Sequence, residues 1–213
     1  MLERFTWFKQ SAFRYDGEGA VVYIDPWGVE GEVLADVIFV THAHFDHYDP
    51  GEIQRVRHER TKLVAPRDVA RELSGDVTAV EPGDSLEVAG MSVQAVPAYN
   101  VREDRIDKHP KRNKWVGYVI ELGGTAYYHA GDTDHAPELS DIRTDVAFLP
   151  IGGTYTMDPA EAGGLARAIS PRKAVPMHYG FVVGSPSDVE TFRLAASPVE
   201  VEVLTPVRPF ERP

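Results

Sequence analysis

Four side chains able to bind metal fall within six residues in the segment His42-Ala43-His44-Phe45-Asp46-His47. They follow an apolar run, Val37-Ile38-Phe39-Val40, that ends at Thr41. Imidazole and carboxylate suit Zn²⁺, Mn²⁺ or Fe²⁺. Histidines two residues apart at a strand end project to one side, so His42 and His44 can chelate one ion. Asp46 and His47 follow in a turn and can aim at a second. Paired ions sit about 3.5–4 Å apart, a closeness that one short loop supplies. The plainer reading, a polar helix start capped by Asp46, has no use for three histidines. The chemistry such a cluster performs is the activation of water for attack on a carbonyl carbon or phosphorus. An ion then stabilises the oxyanion that develops. Asp46 would orient the attacking water as well as bind metal. The chain has no cysteine and no Gly-x-Ser-x-Gly elbow, so hydrolysis without a covalent intermediate is expected.

Elements must carry that loop. Val21–Ile24, Val37–Val40, Ser92–Val96, Trp115–Glu121, Thr125–His129, Val146–Pro150, Lys173–Met177 and Glu200–Leu204 read as strands from short apolar, β-branched runs. Asp16-Gly17, Glu81-Pro82-Gly83-Asp84 and Leu122-Gly123-Gly124 read as turns. Helices are expected over Asp49–His58, Arg67–Leu73, Pro159–Ile169 and Ser187–Ala195, with Pro159 in a first turn and Ser187 as an N-cap. Helices interspersed among strands in both halves predict helices covering two sheets. No short repeat or low-complexity linker divides the 213 residues, so one domain over 1–213 is expected.

Acidic residues outnumber basic ones 33 to 22, a formal charge of −11. That balance argues against nucleic acid or anionic lipid as partner and for a small-molecule substrate. The basic segment Arg102 to Lys114, with Arg105 and Lys108 among its cations, reads as a solvated loop. The start Met1-Leu2-Glu3-Arg4 carries no signal-peptide pattern, and no apolar run approaches membrane-spanning length. A cytoplasmic location fits the absence of cysteine. The oligomeric state is open, a homo-oligomer included.

His42-Ala43-His44-Phe45-Asp46-His47 resembles the HxHxDH signature of the metallo-β-lactamase superfamily. Ile24-Asp25-Pro26 is similar to the acidic turn ahead of that family's metal loop. Ala130-Gly131-Asp132-Thr133 resembles the motif of its bridging carboxylate, and Pro176-Met177-His178-Tyr179 its late histidine motif. The nearest branch looks like the one with ascorbate-6-phosphate lactonase and N-acylphosphatidylethanolamine phospholipase D. Leu149-Pro150-Ile151-Gly152 and Met157-Asp158-Pro159 resemble it too. The resemblance implies an α+β fold, a four-layer αββα sandwich of two mixed sheets flanked by helices. It implies a hydrolase of a small ester, lactone or phosphodiester holding one or two Zn²⁺, with Mn²⁺ or Fe²⁺ as alternatives. His42 and His44 would hold the first ion, Asp46, His47 and His178 the second, and Asp132 both. Asp25 would accept a ring N–H behind a ligand.

The chain departs from that pattern in one place. The branch supplies another first-site histidine after the strand at Ser92–Val96, where this chain has Pro97-Ala98-Tyr99-Asn100. Either Asn100 binds weakly, or another group replaces it, with His109 the obvious substitute, or the first site fills poorly. His129 adjoins the Gly131-Asp132 turn and reads equally as a site residue or a hydrogen-bonded strand residue. His135 and His58 read as exposed, Tyr155 and Tyr179 as packing or wall. Two other function classes share this fold, an iron-dependent redox enzyme and a non-catalytic metal-binding domain. An amidohydrolase barrel also uses His-x-His, but needs a longer chain and lacks the adjoining Asp-His pair.

Overall fold

Val37 and Phe39 face one hydrophobic core, whereas Ile38 and Val40 face another. A strand covered on both faces belongs inside a layered sheet. A computed structural model describes residues 1–17, 19–30 and 33–212 of the chain and places that strand so. Its sheet joins β1 (Phe5–Trp7), β2 (Phe13–Asp16), β3 (Val21–Ile24), β4 (Ala35–Phe39), β5 (Arg57–Pro66) and β6 (Asp76–Val80), side by side in chain order. The first three strands run antiparallel, and β3 to β6 are parallel.

The second sheet holds β7 (Ser85–Val88), β8 (Met91–Pro97), β9 (Val116–Leu122), β10 (Thr125–His129), β11 (Val146–Pro150), β12 (Lys173–Met177) and β13 (Glu200–Val201). Its order is β13-β12-β11-β10-β9-β8-β7, parallel from β10 to β13 and antiparallel elsewhere. The larger core lies between the sheets. There the Phe39 ring sits 5.0 Å from that of Tyr118, whose hydroxyl donates to the Val40 carbonyl at 2.8 Å. Helices α1 (Pro50–Val56) and α2 (Arg67–Ala70) set Ile53, Val56 and Val69 against the outer face of the first sheet. Helices α3 (Pro159–Ile169) and α4 (Asp188–Ala196) pack together and against β11, β12 and β13. The result is the expected α+β arrangement of two mixed sheets with helices. Among the described residues no helix is long and apolar enough to cross a membrane.

β3, β10, β11, β12 and α3 have the limits expected from sequence. The first helix is shorter than Asp49–His58: Asp49 caps it, accepting from Gly51 N at 2.8 Å, and Arg57 already pairs with Ala35 in the sheet. Ser187 makes no capping bond, and Asp188 Oδ2 instead accepts from Ser185 N at 2.7 Å.

Candidate metal centre

Both sheets deliver their site residues beyond the carboxyl ends of strands, where a layered sheet opens a crevice. Asp25 follows β3, the histidine-rich loop follows β4, Asp132 lies three residues past β10, and His178 follows β12 directly. Gly131 turns the chain ahead of Asp132 with a φ of +61°, and a Cβ there would lie 3.1 Å from the Val116 carbonyl. Three non-glycine residues at the site hold left-handed backbone: Gln10 (φ 42°), Asp25 (φ 47°) and His178 (φ 59°). Each costs about 1–3 kcal/mol and persists only where its surroundings enforce it. Here the Gln10 carbonyl accepts from His178 N at 3.0 Å, and the Phe39 carbonyl from Asp25 N at 2.9 Å.

Two groups of donors result. His42, His44, His109 and Asp132 form one, Asp46, His47 and His178 the other, and within each the ligand atoms lie within 4.8 Å of one another. In the first, His42 Nε2 is 3.1 Å from His44 Nδ1, which is 3.1 Å from His109 Nε2, itself 3.2 Å from Asp132 Oδ2. In the second, Asp46 Oδ2 lies 3.7 Å from His47 Nε2 and 3.6 Å from His178 Nε2. Asp132 reaches that group as well, Oδ1 at 3.2 Å from His47 Nε2 and Oδ2 at 3.1 Å from His178 Nε2. Donors held about 2.0–2.1 Å from one tetrahedral ion stand roughly 3.3–3.4 Å apart, so these spacings fit a divalent cation. Buried, partnerless atoms agree: His47 Nε2, Asp132 Oδ1 and His178 Nε2 have no hydrogen-bond partner among the described residues. Such atoms are costly unless something unites them.

Neighbours set the rings. Asp25 is fully buried and accepts from Thr41 N at 2.7 Å, Thr41 Oγ1 at 2.6 Å and His47 Nδ1 at 2.7 Å. That leaves His47 Nε2 for a cation. Since the Thr41 hydroxyl donates to Asp25, it accepts from His42 Nδ1 at 3.0 Å, which frees His42 Nε2 in the same way. Asn100 does this for His109. Its Oδ1 accepts from His109 Nδ1 at 2.8 Å, while its Nδ2 donates to Asp134 Oδ1 and to the Tyr155 carbonyl, both at 2.9 Å. The Trp115 ring backs His42 and His44, with centroids 5.0 Å from each.

Residues 4–178 match the family described as the beta-lactamase superfamily domain. The chain belongs to that superfamily. Within it, the chain is 37% identical to the UPF0173 metal-dependent hydrolase of Thermococcus kodakarensis over 84% of its own length and 83% of the relative's, and so belongs with the UPF0173 metal-dependent hydrolases. A solved structure from Parabacteroides distasonis superposes with a TM-score of 0.84 at 31% identity, covering 93% of this chain and 91% of that one. Igni18, a metallo hydrolase from Ignicoccus hospitalis, gives 0.75 at 28% identity, covering 95% and 94%.

Against the superfamily's pattern, the chain sets Asn100 and His109 side by side at the gap after β8. Asn100 turns its oxygen to the His109 ring rather than toward the other donors, and His109 enters from nine residues along. His129 stays apart, because Nε2 bonds the Ser11 carbonyl at 2.9 Å and Nδ1 accepts from Gly131 N at 3.3 Å. His135 Nε2 pairs with Ser140 Oγ at 3.0 Å, and His58 is half-buried in β5 rather than exposed. Tyr179 is packed between Trp7 and Phe210, while Tyr155 lines the cleft. Arg105 overturns the reading of its segment: five of the six cations are exposed, but Arg105 is buried against Asp134. Gln10, Trp115, Asp134 and Arg105 escaped the sequence reading, since nothing local marks residues whose partners are so distant along the chain.

Charge follows the same geometry. Burial would raise the Asp46 carboxyl, but His47 and His178 outweigh it and hold it at about 2. Burial would lower His178, yet Asp132 and Asp46 lift it to about 9. His42 is pushed well below the usual imidazole range by burial and then by neighbouring His47. The cleft above, about 330 Å³, is lined by His44, Phe45, Asp46, Asp107, Lys108, Asp132, Tyr155, His178 and Val182.

Proposed function

We propose that this chain hydrolyses a small ester, lactone or phosphodiester in the cleft above the two donor groups. His42, His44, His109 and Asp132 would hold one divalent ion and Asp46, His47 and His178 the other, with Asp132 serving both. Zn²⁺ suits this all-imidazole and carboxylate set, and Mn²⁺ or Fe²⁺ can occupy it. The observation that carries the reading is the placement of the Asp132 carboxylate, whose oxygens stand 3.2 Å from His47 Nε2 and 3.2 Å from His109 Nε2. When bound, the ions supply a lowered water pKa and a positive field for the charge that develops on oxygen.

The remaining work falls to the chain. Asp46, mostly buried at the cleft floor, stays ionised and can orient the attacking water by accepting a hydrogen bond from it. Gln10 Nε2 lies 3.4 Å from Asp46 Oδ2 and limits the swing of that carboxylate. Phe45, Tyr155 and Val182 form an apolar wall that favours a compact substrate, and Lys108 sets a cation at the mouth.

The test is to strip the protein, reload it with Zn²⁺, Mn²⁺ or Fe²⁺, and screen lactones, phosphodiesters and thioesters. Turnover of one class is expected, with Asp46→Asn weakening the second ion and lowering kcat by about 10²-fold even at metal concentrations that fill both groups. A protein that binds its ions and turns over none of these classes, or an Asp46→Asn variant at full rate, refutes the proposal.

A further inference from the structure

Arg105 is 2% exposed, in a loop whose other Lys and Arg residues are exposed. Burying a guanidinium is costly unless carboxylates and carbonyls surround it. Three do. Nε donates to Asp134 Oδ1 at 2.6 Å, one terminal nitrogen to Glu161 Oε2 at 2.6 Å, and the other to the Gly153 carbonyl at 3.1 Å. Glu161 lies in the first turn of α3, so the fork ties the loop to that helix.

Asp134 is the other half of the device. It is fully buried, and besides Arg105 its carboxylate accepts from Asn100 Nδ2 at 2.9 Å, Val101 N at 2.8 Å and Arg102 N at 3.0 Å. Asn100 in turn accepts from both the His109 ring and the His109 amide, at 2.8 and 3.0 Å, and donates its own amide to the His109 carbonyl at 2.8 Å. The path from guanidinium to imidazole is therefore unbroken: Arg105, Asp134, Asn100, His109. The other protein ligands of both groups leave strand ends or the short loop after β4, while His109 sits far along the β8–β9 connection. A ligand on such a loop needs bracing to present its nitrogen at bonding distance.

We infer that the buried Arg105–Asp134 pair is a positioning strut that sets His109 against the other donors, so that the affinity of one cation site is governed by residues that never touch the cation. This rests on the reading of His109 as a ligand, and the experiment separates the two. Apo protein is titrated with Co²⁺, reading ligand-field absorption and heat, for the unaltered chain and for Arg105→Lys, Glu161→Gln, Asp134→Asn and His109→Ala. Arg105→Lys keeps the charge but loses the fork, and Glu161→Gln alters the partly exposed end, so at least these two test the strut if Asp134→Asn does not fold.

Arg105→Lys is expected to weaken one of the two sites by about 10–100-fold and leave the other unchanged, with Glu161→Gln smaller in the same direction. His109→Ala weakens the same site and removes one nitrogen from its spectrum. Adding Arg105→Lys to His109→Ala then changes affinity no further, because the ligand that the strut serves is gone. If His109→Ala weakens a site but Arg105→Lys and Glu161→Gln weaken neither, or weaken both equally, the strut is overturned and the ligand set stands. If His109→Ala leaves both sites intact, the ligand reading fails and the strut falls with it.

Discussion

Asp25 accepts three hydrogen bonds in a buried, left-handed position, and one of them decides which nitrogen His47 presents. Asparagine in its place fits that backbone but has one accepting oxygen for three donors, and turns an N–H toward another. Asp25→Asn should therefore weaken metal binding at the Asp46–His47–His178 group by about 10–100-fold, read by competition with a chromophoric chelator. Unchanged affinity would mean that His47 keeps its tautomer without Asp25. Asn100→Ala belongs at the same scale. It leaves the His109 ring without its acceptor, and first-site affinity should drop by a similar factor. Equal affinity with and without the Asn100 amide would assign the orientation of His109 to its backbone alone. At this scale the sequence was legible where the candidate ligands are local. His42, His44, Asp46 and His47 share one turn, so their spacing alone carries the chemistry. Asn100 was not legible as a brace, because its role depends on Asp134, thirty-four residues away. Arg105 resembled its exposed neighbours for the same reason.

Elements hold these side chains through close backbone contacts. A Cβ built on Gly117 in β9 would lie 2.7 Å from the carbonyl oxygens of both His129 and Ala130, which lead into Asp132. Backbone atoms cannot rotate aside as a side chain can. Gly117→Ala should push β9 from β10 and cost about 1–3 kcal/mol in denaturant unfolding. Metal affinity should fall with it, as Asp132 moves. A variant as stable as the parent would show that this strand pair yields freely. The strands that surround the site were also the most legible, since β10, β11 and β12 are short apolar runs buried in the second sheet. Edges were harder. β1, β2, β6 and β7 are short or half-exposed, so their apolar pattern is diluted. β5 begins Arg57-His58, polar residues that read as the tail of the first helix. Pairing with β4 makes it a strand, a tertiary preference that no local window contains.

Across the whole molecule, the two sheets meet at the donors. The loop after β4 belongs to the first sheet, while Asp132 and His178 end strands of the second. Ions shared among them would tie the layers together in a chain that has no cysteine to cross-link them. Binding to the folded state alone stabilises by mass action, about 4 kcal/mol when free metal exceeds Kd a thousandfold. For a chain of this size each kcal/mol moves the midpoint by about 2–4 °C, so chelation should lower Tm by roughly 10 °C and reloading should restore it. The dependence separates this linkage from a general salt effect: Tm should rise with the logarithm of Zn²⁺ concentration and stay flat with Mg²⁺, which prefers oxygen ligands to imidazole. His47→Ala should flatten that slope, because His47 joins the loop of one sheet to the carboxylate of the other. A Tm indifferent to chelation would place the ions outside the forces that hold the sheets together, and would leave His47 Nε2 and His178 Nε2, buried without a hydrogen bond, unaccounted for.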